Sequence, residues 1–407
     1  MAVTPNIAMD IILNHTHQTK FKIVPLENAL GKISAQDLFA QYYLPKFDNS
    51  AMDGYAVRFE DAGKTLNIID TIFAGDDKDI ILNQNECVKI MTGAKIPENC
   101  TAIIPFEDAT IIDETQVLLP QTIRQNQHIR YIGEDIKLGS LILEKGQNIN
   151  FAAITLLASQ GVTHLKVYRH PKIVVFASGE ELKLHYEKIE SYQIYNSNTP
   201  TLIARCQEFN CDVTFIGQAK DSVDSLKQNI ANALGADLII TTGGVSVGEA
   251  DFTKEAFDSL GFETFFEGIL IKPGKPTIFG KIQNTLILNL PGNPLACGLI
   301  FELFGTVILQ KLKGSKDIYP NFIVGKIDET LKTKAGRTTI VPGFFDGEYF
   351  KPSAKRSPGM VNVLNHCNSM IVLAEEVNEL KKDKKIKILP INWAFFSNIS
   401  KDYLTHE

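Results

Sequence analysis

What the chain lacks narrows its chemistry first. It has one tryptophan, and its six cysteines (Cys87, Cys100, Cys206, Cys211, Cys297, Cys367) lie far apart, with no Cys-x-x-Cys pair. Cysteines so scattered, with histidines at no matching spacing, exclude a zinc module and fit reduced, mostly buried thiols in a cytosolic protein. No basic excess exists: 41 Lys and Arg stand against 47 Asp and Glu, for a net charge of −6. That excludes nucleic acid as the main partner, because little is free to neutralise its phosphates. No uninterrupted apolar run reaches the roughly 18 residues of a membrane span. Residues 1–7 (MAVTPNI) show no charged segment leading into an apolar core, so no signal peptide is expected. Absent as well are Gly-x-Gly-x-x-Gly and the Walker A spacing, so neither a dinucleotide nor an NTP site follows.

What is present is organised around residues 237–251, DLIITTGGVSVGEAD. Leu238 to Thr241 is short, apolar and β-prone, as in a strand buried on both faces. It runs into Gly243 and Gly244, then Ser246, Glu249 and Asp251, with a helical pattern from Phe252. Strand, glycine turn and helix let backbone N–H groups and a helix N-terminus approach a phosphate. A tight turn after a core strand would need the glycines alone; carboxylates beside an anion site make sense chiefly with a bridging cation.

The 407 residues are enough for about three domains of ~150 residues each. Residues 6–38 read as helical and amphipathic, with Ile7, Ile11 and Ile12 on one face. Residues 48–56, DNSAMDGYA, form a structured loop entering a strand, with more carboxylates than a turn requires. Residues 66–148 are β-rich, broken by glycine turns at 91–94 (MTGA) and 130–136 (RYIGEDI). A helix over 147–161 leads out of this small β unit and stops at Gly161. From Pro171 strands alternate with helices, the pattern of a βαβ array with a mostly parallel sheet. In its last turn Asn293 is a good N-cap and Pro294 a good first helical residue.

Polar groups follow the strands: Glu180 and Glu181, Asn196 and Asn198, Asp221, residues 243–251, Lys272 and Lys275, and residues 291–294. Ligands of open parallel sheets sit outside the carboxyl ends of the strands. The residue chemistry therefore points to a phosphate-bearing ligand, a divalent cation and a lysine pair for an anion.

Six motifs, at 48–56, 91–94, 130–136, 242–251, 272–276 (KPGKP) and 290–294 (LPGNP), together resemble the molybdopterin molybdenumtransferase family of the MoeA and gephyrin E-domain type. The resemblance implies a multidomain α/β plus β protein. Its parts are a helical N-terminal region (1–44 and 146–170), an inserted β-rich domain (45–145), a central βαβ domain of MoaB/Mog-like type (171–313) and a small C-terminal β-barrel (320–393). The basic stretch at 311–316 would be the linker, although alone it reads as a solvated helix end. The resemblance implies insertion of molybdate into adenylylated molybdopterin with Mg2+, releasing AMP and molybdenum cofactor, in a cytoplasmic homodimer whose sites are shared between subunits. A molybdopterin adenylyltransferase and molybdoenzymes would be its partners. A non-catalytic scaffold on the same fold is the alternative.

By the same resemblance, Gly243, Gly244, Ser246, Pro291, Gly292, Asn293 and Pro294 would hold the pterin pyrophosphate. Glu181, Asp221 and Asp251 would serve Mg2+ or hydrolysis of the adenylyl bond, while Asp53, Thr92 and Asp135 would reach in from the partner. Lys272 and Lys275, with Arg356 and Ser357, would attract molybdate. The chain departs from the pattern at Glu180, Ser222, Pro358 and Val341-Pro342-Gly343; the last replaces a common Arg-Gly pair and leaves Arg337 or Arg356 to serve.

Overall fold

The computed structural model describes residues 2–220, 222–243, 250–393 and 404, without the side chains of residues 250 and 251. Two compact units result: Met1–Gln36 with Lys145–Phe151 and His164–Glu407, and Asp37–Glu144 with Ala152–Thr163.

Helix α1 (Pro5–His15) starts where Thr4 Oγ1 accepts the Ile7 N–H at 3.4 Å and proline takes the first turn. The helical reading of 6–38 holds only this far. The chain then forms β1 (Phe21–Pro25), antiparallel to a strand at His164–Tyr168. The run Ile23-Val24 is β-branched and Pro25 forbids helix continuation, so the short apolar segment is spent as strand.

In the second unit the strands of the main sheet are β2 (Gly54–Val57), β3 (Thr65–Ile72), β4 (Glu86–Ile90), β5 (Ala102–Pro105), β6 (Thr110–Ile111) and β7 (Gln116–Leu118). Their order in the sheet is β5-β2-β4-β3-β7-β6. Strand β2 is buried on both faces: Tyr55 and Val57 pack into one apolar cluster, Ala56 into another with Val88 and Ile103. Helix α2 (Phe151–Ser159) follows and stops at Gly161, whose φ is +71°.

The first unit resumes with β8 (His164–Tyr168), then β9 (Lys172–Ser178), α3 (Asn198–Glu208), β10 (Asp212–Ala219), α4 (Val223–Ala233), β11 (Leu238–Thr242) and α5 (Ala250–Ser259). Next come β12 (Glu263–Glu267), the short β13 (Ile271–Lys272), β14 (Ile278–Ile282), β15 (Thr285–Leu290) and α6 (Pro294–Ile300). A π turn at Phe301–Gly305 carries α6 into α7 (Thr306–Leu312). The sheet order is β10-β9-β11-β15-β14-β12, parallel through its first four strands. Such strands are covered on both faces and read as continuous apolar runs; all five residues of β11 are buried.

The continuous helix Pro294–Leu312 is long and apolar enough, by length and composition, to cross a membrane. Its 83% burial inside the protein makes it a core helix instead. Glu302 interrupts the apolar run and accepts two hydrogen bonds from Arg205, at 2.6 and 2.7 Å. A pair held in this forked geometry satisfies charge that would otherwise be costly to bury. At the opposite end of the sheet from the strand carboxyl ends, Arg169 donates twice to Asp237 (2.6 and 2.7 Å), which also accepts the Lys172 N–H at 2.7 Å.

The C-terminal strands β16 (Ile323–Ile327), β17 (Thr338–Phe345), β18 (Tyr349–Pro352), β19 (Ser369–Leu373) and β20 (Lys385–Pro390) run β17-β18-β16-β20-β19 and close through β19–β17 pairing. The result is a closed five-stranded barrel. Strand β13 pairs with β17, setting Ile271 opposite Thr338 and Lys272 opposite Thr339.

Candidate functional site

Register places the parallel strands' carboxyl ends side by side. Ser178 lies opposite Ala219, Ala177 opposite Thr242, and Thr242 opposite Leu290. The loops that follow these ends border a cavity of 650 Å3, lined among others by Gly179, Glu181, Asn196, Asn198, Gly243 and residues 291–294. Its polar floor is therefore a product of topology.

Each loop is pinned. Gln218 Nε2 donates to the carbonyls of Gly179 (2.7 Å) and Leu182 (3.0 Å). Asn198 Nδ2 donates to Gly292 O at 2.7 Å, joining the start of α3 to the turn after β15. Asn196 lines the cavity; its Oδ1 accepts the Thr199 N–H at 3.2 Å, and its buried Nδ2 has no hydrogen-bond partner among the described residues. A buried amide donor left unpaired costs free energy that a ligand oxygen can recover. Gly243 has φ +93°, and a Cβ there would sit 2.5 Å from Ser178 O, so only glycine fits.

The candidate residues fall as follows. Glu181, Gly243, Pro291, Gly292, Asn293 and Pro294 share the cavity wall. Asp221, Gly244 and Ser246 lie outside the described residues; Asp251 lies in α5, without its side chain. Lys272 and Lys275 are exposed on the stretch that precedes Pro276, which does line the cavity, but neither lysine lines it. Ser357 is exposed, and Arg356 Nη1 donates to Ser353 O at 2.9 Å. In the second unit, Asp53 Oδ1 accepts the N–H and hydroxyl of Thr92 at 2.7 and 2.8 Å. Those bonds hold the Asp53 carboxyl below the usual carboxylate range. The motif at 130–136 joins the same loops: Asn49–Ser50 pairs with Ile129–Arg130, and Asp48 Oδ1 accepts the Ile132 N–H at 2.7 Å. Asp135 is exposed, its N–H bonded to Leu44 O at 3.0 Å.

Asn293 occupies the N-cap position of α6, yet its side chain makes no capping bond. Pro358 O does that work instead, accepting the N–H groups of Leu295 (2.9 Å) and Ala296 (3.4 Å). This tether brings Gly359 and Val361 of the C-terminal loop into the cavity wall. Sequence reasoning missed both, and missed Leu182, Ile194 and Tyr195, which belong to the Leu182–Lys183 and Ile194–Tyr195 strand pair beside the cavity. The paired Leu-Lys and Ile-Tyr segments were the only signal for them.

Among the described residues no group of three His, Cys, Asp or Glu side chains could hold a metal. Glu181 is the described candidate carboxylate at the cavity, its oxygens 2.8 and 3.0 Å from where a Cβ on Gly179 would be. Mg2+ is usually held by one or two carboxylates with substrate phosphates and water, and Glu181 is one such carboxylate in the cavity wall.

Residues 3–161 match the family described as MoeA N-terminal region (domain I and II), and residues 174–311 the probable molybdopterin binding domain. A molybdopterin molybdenumtransferase of Haemophilus influenzae is 35% identical over 383 residues, covering 92% of this chain and 95% of that protein. One from Staphylococcus epidermidis is 33% identical, covering 86% of each. The chain belongs to the molybdopterin molybdenumtransferase family. A molybdopterin biosynthesis MoeA protein from Pyrococcus horikosii, 29% identical, superposes with a TM-score of 0.83 over 97% of this chain and 100% of that one.

Within this family the chain's departures now have structural settings. Val341, Pro342 and Gly343 are all buried in β17, and a Cβ on Gly343 would be 2.4 Å from Lys351 O. This stretch is barrel wall, with no room for an anion-binding arginine at Gly343. Arg337 is exposed immediately before Thr338, which pairs with Ile271, so it stands beside the Lys272 strand. The inserted Pro358 supplies the tether to α6.

Proposed function

We propose that this chain is a molybdopterin molybdenumtransferase, inserting molybdate into adenylylated molybdopterin with release of AMP and molybdenum cofactor. The observation that carries the reading is the cavity at the aligned strand ends, with an unpaired Asn196 donor, a Cβ-free Gly243 and the Glu181 carboxylate in one wall. Gly243 leaves its backbone open to a phosphate, and Asn196 Nδ2 donates to a ligand oxygen. The turn at 291–294 is fixed by Asn198 and bounds the same ligand. Bound Mg2+ would offset pyrophosphate charge, held by Glu181 together with Asp221 and Asp251. In the reaction the phosphoanhydride P–O bond to AMP breaks while water oxygen adds to phosphorus, and AMP leaves. Lys272 and Lys275, with Arg337 or Arg356, attract molybdate electrostatically, and the Ser357 hydroxyl offers it a hydrogen bond. In a homodimer the partner's copy of the loop locked by Asp53 and Thr92, with Asp135, completes the site. The setting is cytoplasmic, with an adenylyltransferase supplying the substrate and molybdoenzymes receiving the product.

The test compares wild type with Glu181→Gln and Asp251→Asn, measuring both binding of adenylylated molybdopterin and AMP release with Mg2+ and molybdate. Retained binding with AMP release lowered at least tenfold in both variants is expected. Unchanged release in both would contradict the assignment of these carboxylates.

A further inference from the structure

We propose that a second cavity, at the carboxyl-terminal end of α3, binds a small anion through the ammonium of Lys313. The cavity is an open cleft of 370 Å3, and its lining includes Asn148, Asn210, Gln310 and Lys313 together with the carboxylates Glu208 and Asp317. It lies at the other end of α3 from the rim cavity: Asn198 borders one, Arg205 and Glu208 the other. At ~1.5 Å rise per residue, the helix separates the two by about 15 Å.

Lys313 is 9% exposed, and among the described residues its ammonium has no hydrogen bond and no ion pair. The groups facing it explain why. Arg205 is spent on Glu302 and Glu208, so Glu208 is already committed. Asp317 stands exposed and forms no pair with Lys313. The ionisable neighbour that Lys313 does sense is the Cys211 thiol, and burial pushes the lysine's pKa down. A solvated helix end, the sequence-based expectation for 311–316, would leave this side chain in water. Here nine-tenths of the residue is buried, and it lines the cavity with no side-chain anion paired to it among the described residues, an unusual arrangement for a cation. Carbonyl groups ending α3 and α7 favour a positive charge nearby, but they do not require its burial. The cavity beside it adds the amides of Asn148, Asn210 and Gln310, donors suited to carboxylate or oxyanion oxygens. Its volume admits a molecule the size of phosphate or citrate.

The experiment is isothermal titration of the full chain with phosphate, sulfate, molybdate and citrate, for wild type, Lys313→Met and Asn210→Asp. Saturable binding of one anion per chain is expected, weakened at least tenfold in both variants. Lys313→Met should keep or raise the melting temperature, because it replaces a largely buried, unpaired cationic side chain with an apolar one, and should leave AMP release unchanged. Citrate binding without phosphate binding identifies a carboxylate ligand; the reverse identifies an oxyanion. No saturable binding up to about 50 mM, far weaker than the ~1 mM of ordinary weak complexes, would overturn the proposal. So would equal binding by wild type and Lys313→Met. Because AMP release is scored separately, failure of the proposed transferase activity and failure of this site give different results.

Discussion

Replacing Gly243 by alanine separates two physical costs, because the chain carries a matched control. Gly243 and Gly217 have φ of +93° and +94°, both unfavourable for an L side chain. A Cβ on Gly217 meets nothing within 4 Å, whereas one on Gly243 meets Ser178 O at 2.5 Å. The obstacle is backbone at the end of β9, held in the sheet between β10 and β11, so it cannot swing aside like a side chain. Backbone strain alone costs on the order of 1–3 kcal/mol and should appear in both variants. Overpacking adds roughly 1–3 kcal/mol and should appear only in Gly243→Ala. Urea unfolding followed by far-UV circular dichroism measures the difference directly. Gly217→Ala should lose about 1–3 kcal/mol and Gly243→Ala about 2–6 kcal/mol, a large share of the 5–15 kcal/mol of a typical domain. The Gly243 variant should also bind adenylylated molybdopterin more weakly, because the cavity wall moves. Equal destabilisation of the two variants would refute the claim that close approach to Ser178, rather than φ alone, requires glycine there.

Asp53→Asn should reduce stability at neutral pH and leave it unchanged in acid. The Thr92 bonds lower the folded pKa of Asp53 from its ordinary 3.8, so its contribution is present above that value and lost as pH falls through the folded pKa. Urea midpoints of wild type and variant should differ at about pH 7 and converge as the pH falls through the lowered pKa of Asp53; a constant difference would contradict this. Arg169→Ala removes a forked pair and leaves Asp237 with only the Lys172 N–H. Its cost should be about 1–3 kcal/mol in the same assay, without effect on substrate affinity. Lys272→Ala and Lys275→Ala each remove an exposed charge worth about 1 kcal/mol at contact distance in water. Several-fold increases in the KM for molybdate, with the affinity for adenylylated molybdopterin unchanged, are the expected readout.

The parallel sheet and its functional rim were legible because each buried strand is a short apolar run and each run ends in polar or glycine residues. Residues 172–178, 238–242 and 285–290 obey that rule, while the edge strand 212–219 is only partly buried and starts by alternating polar with apolar residues; topology then gathers their ends. The segment after His15 was not legible, since a five-residue run such as FKIVP suits either period until a partner strand is known. Nor could local sequence assign the cap of α6: Asn293 is well suited, but the carbonyl of Pro358, 65 residues away along the chain, takes the N–H groups first. Lys313 marks the same limit, because a basic stretch at a helix end reads as solvated whatever packs over it. Long-range contacts decided all three.

The central claim is tested most directly by AMP release from adenylylated molybdopterin and Mg2+ by the wild-type chain, with and without molybdate. Release that depends on molybdate and accompanies formation of molybdenum cofactor is expected. Tight binding of the substrate with no molybdate-dependent release would contradict it, leaving a protein with the family's fold and cavity but not its reaction.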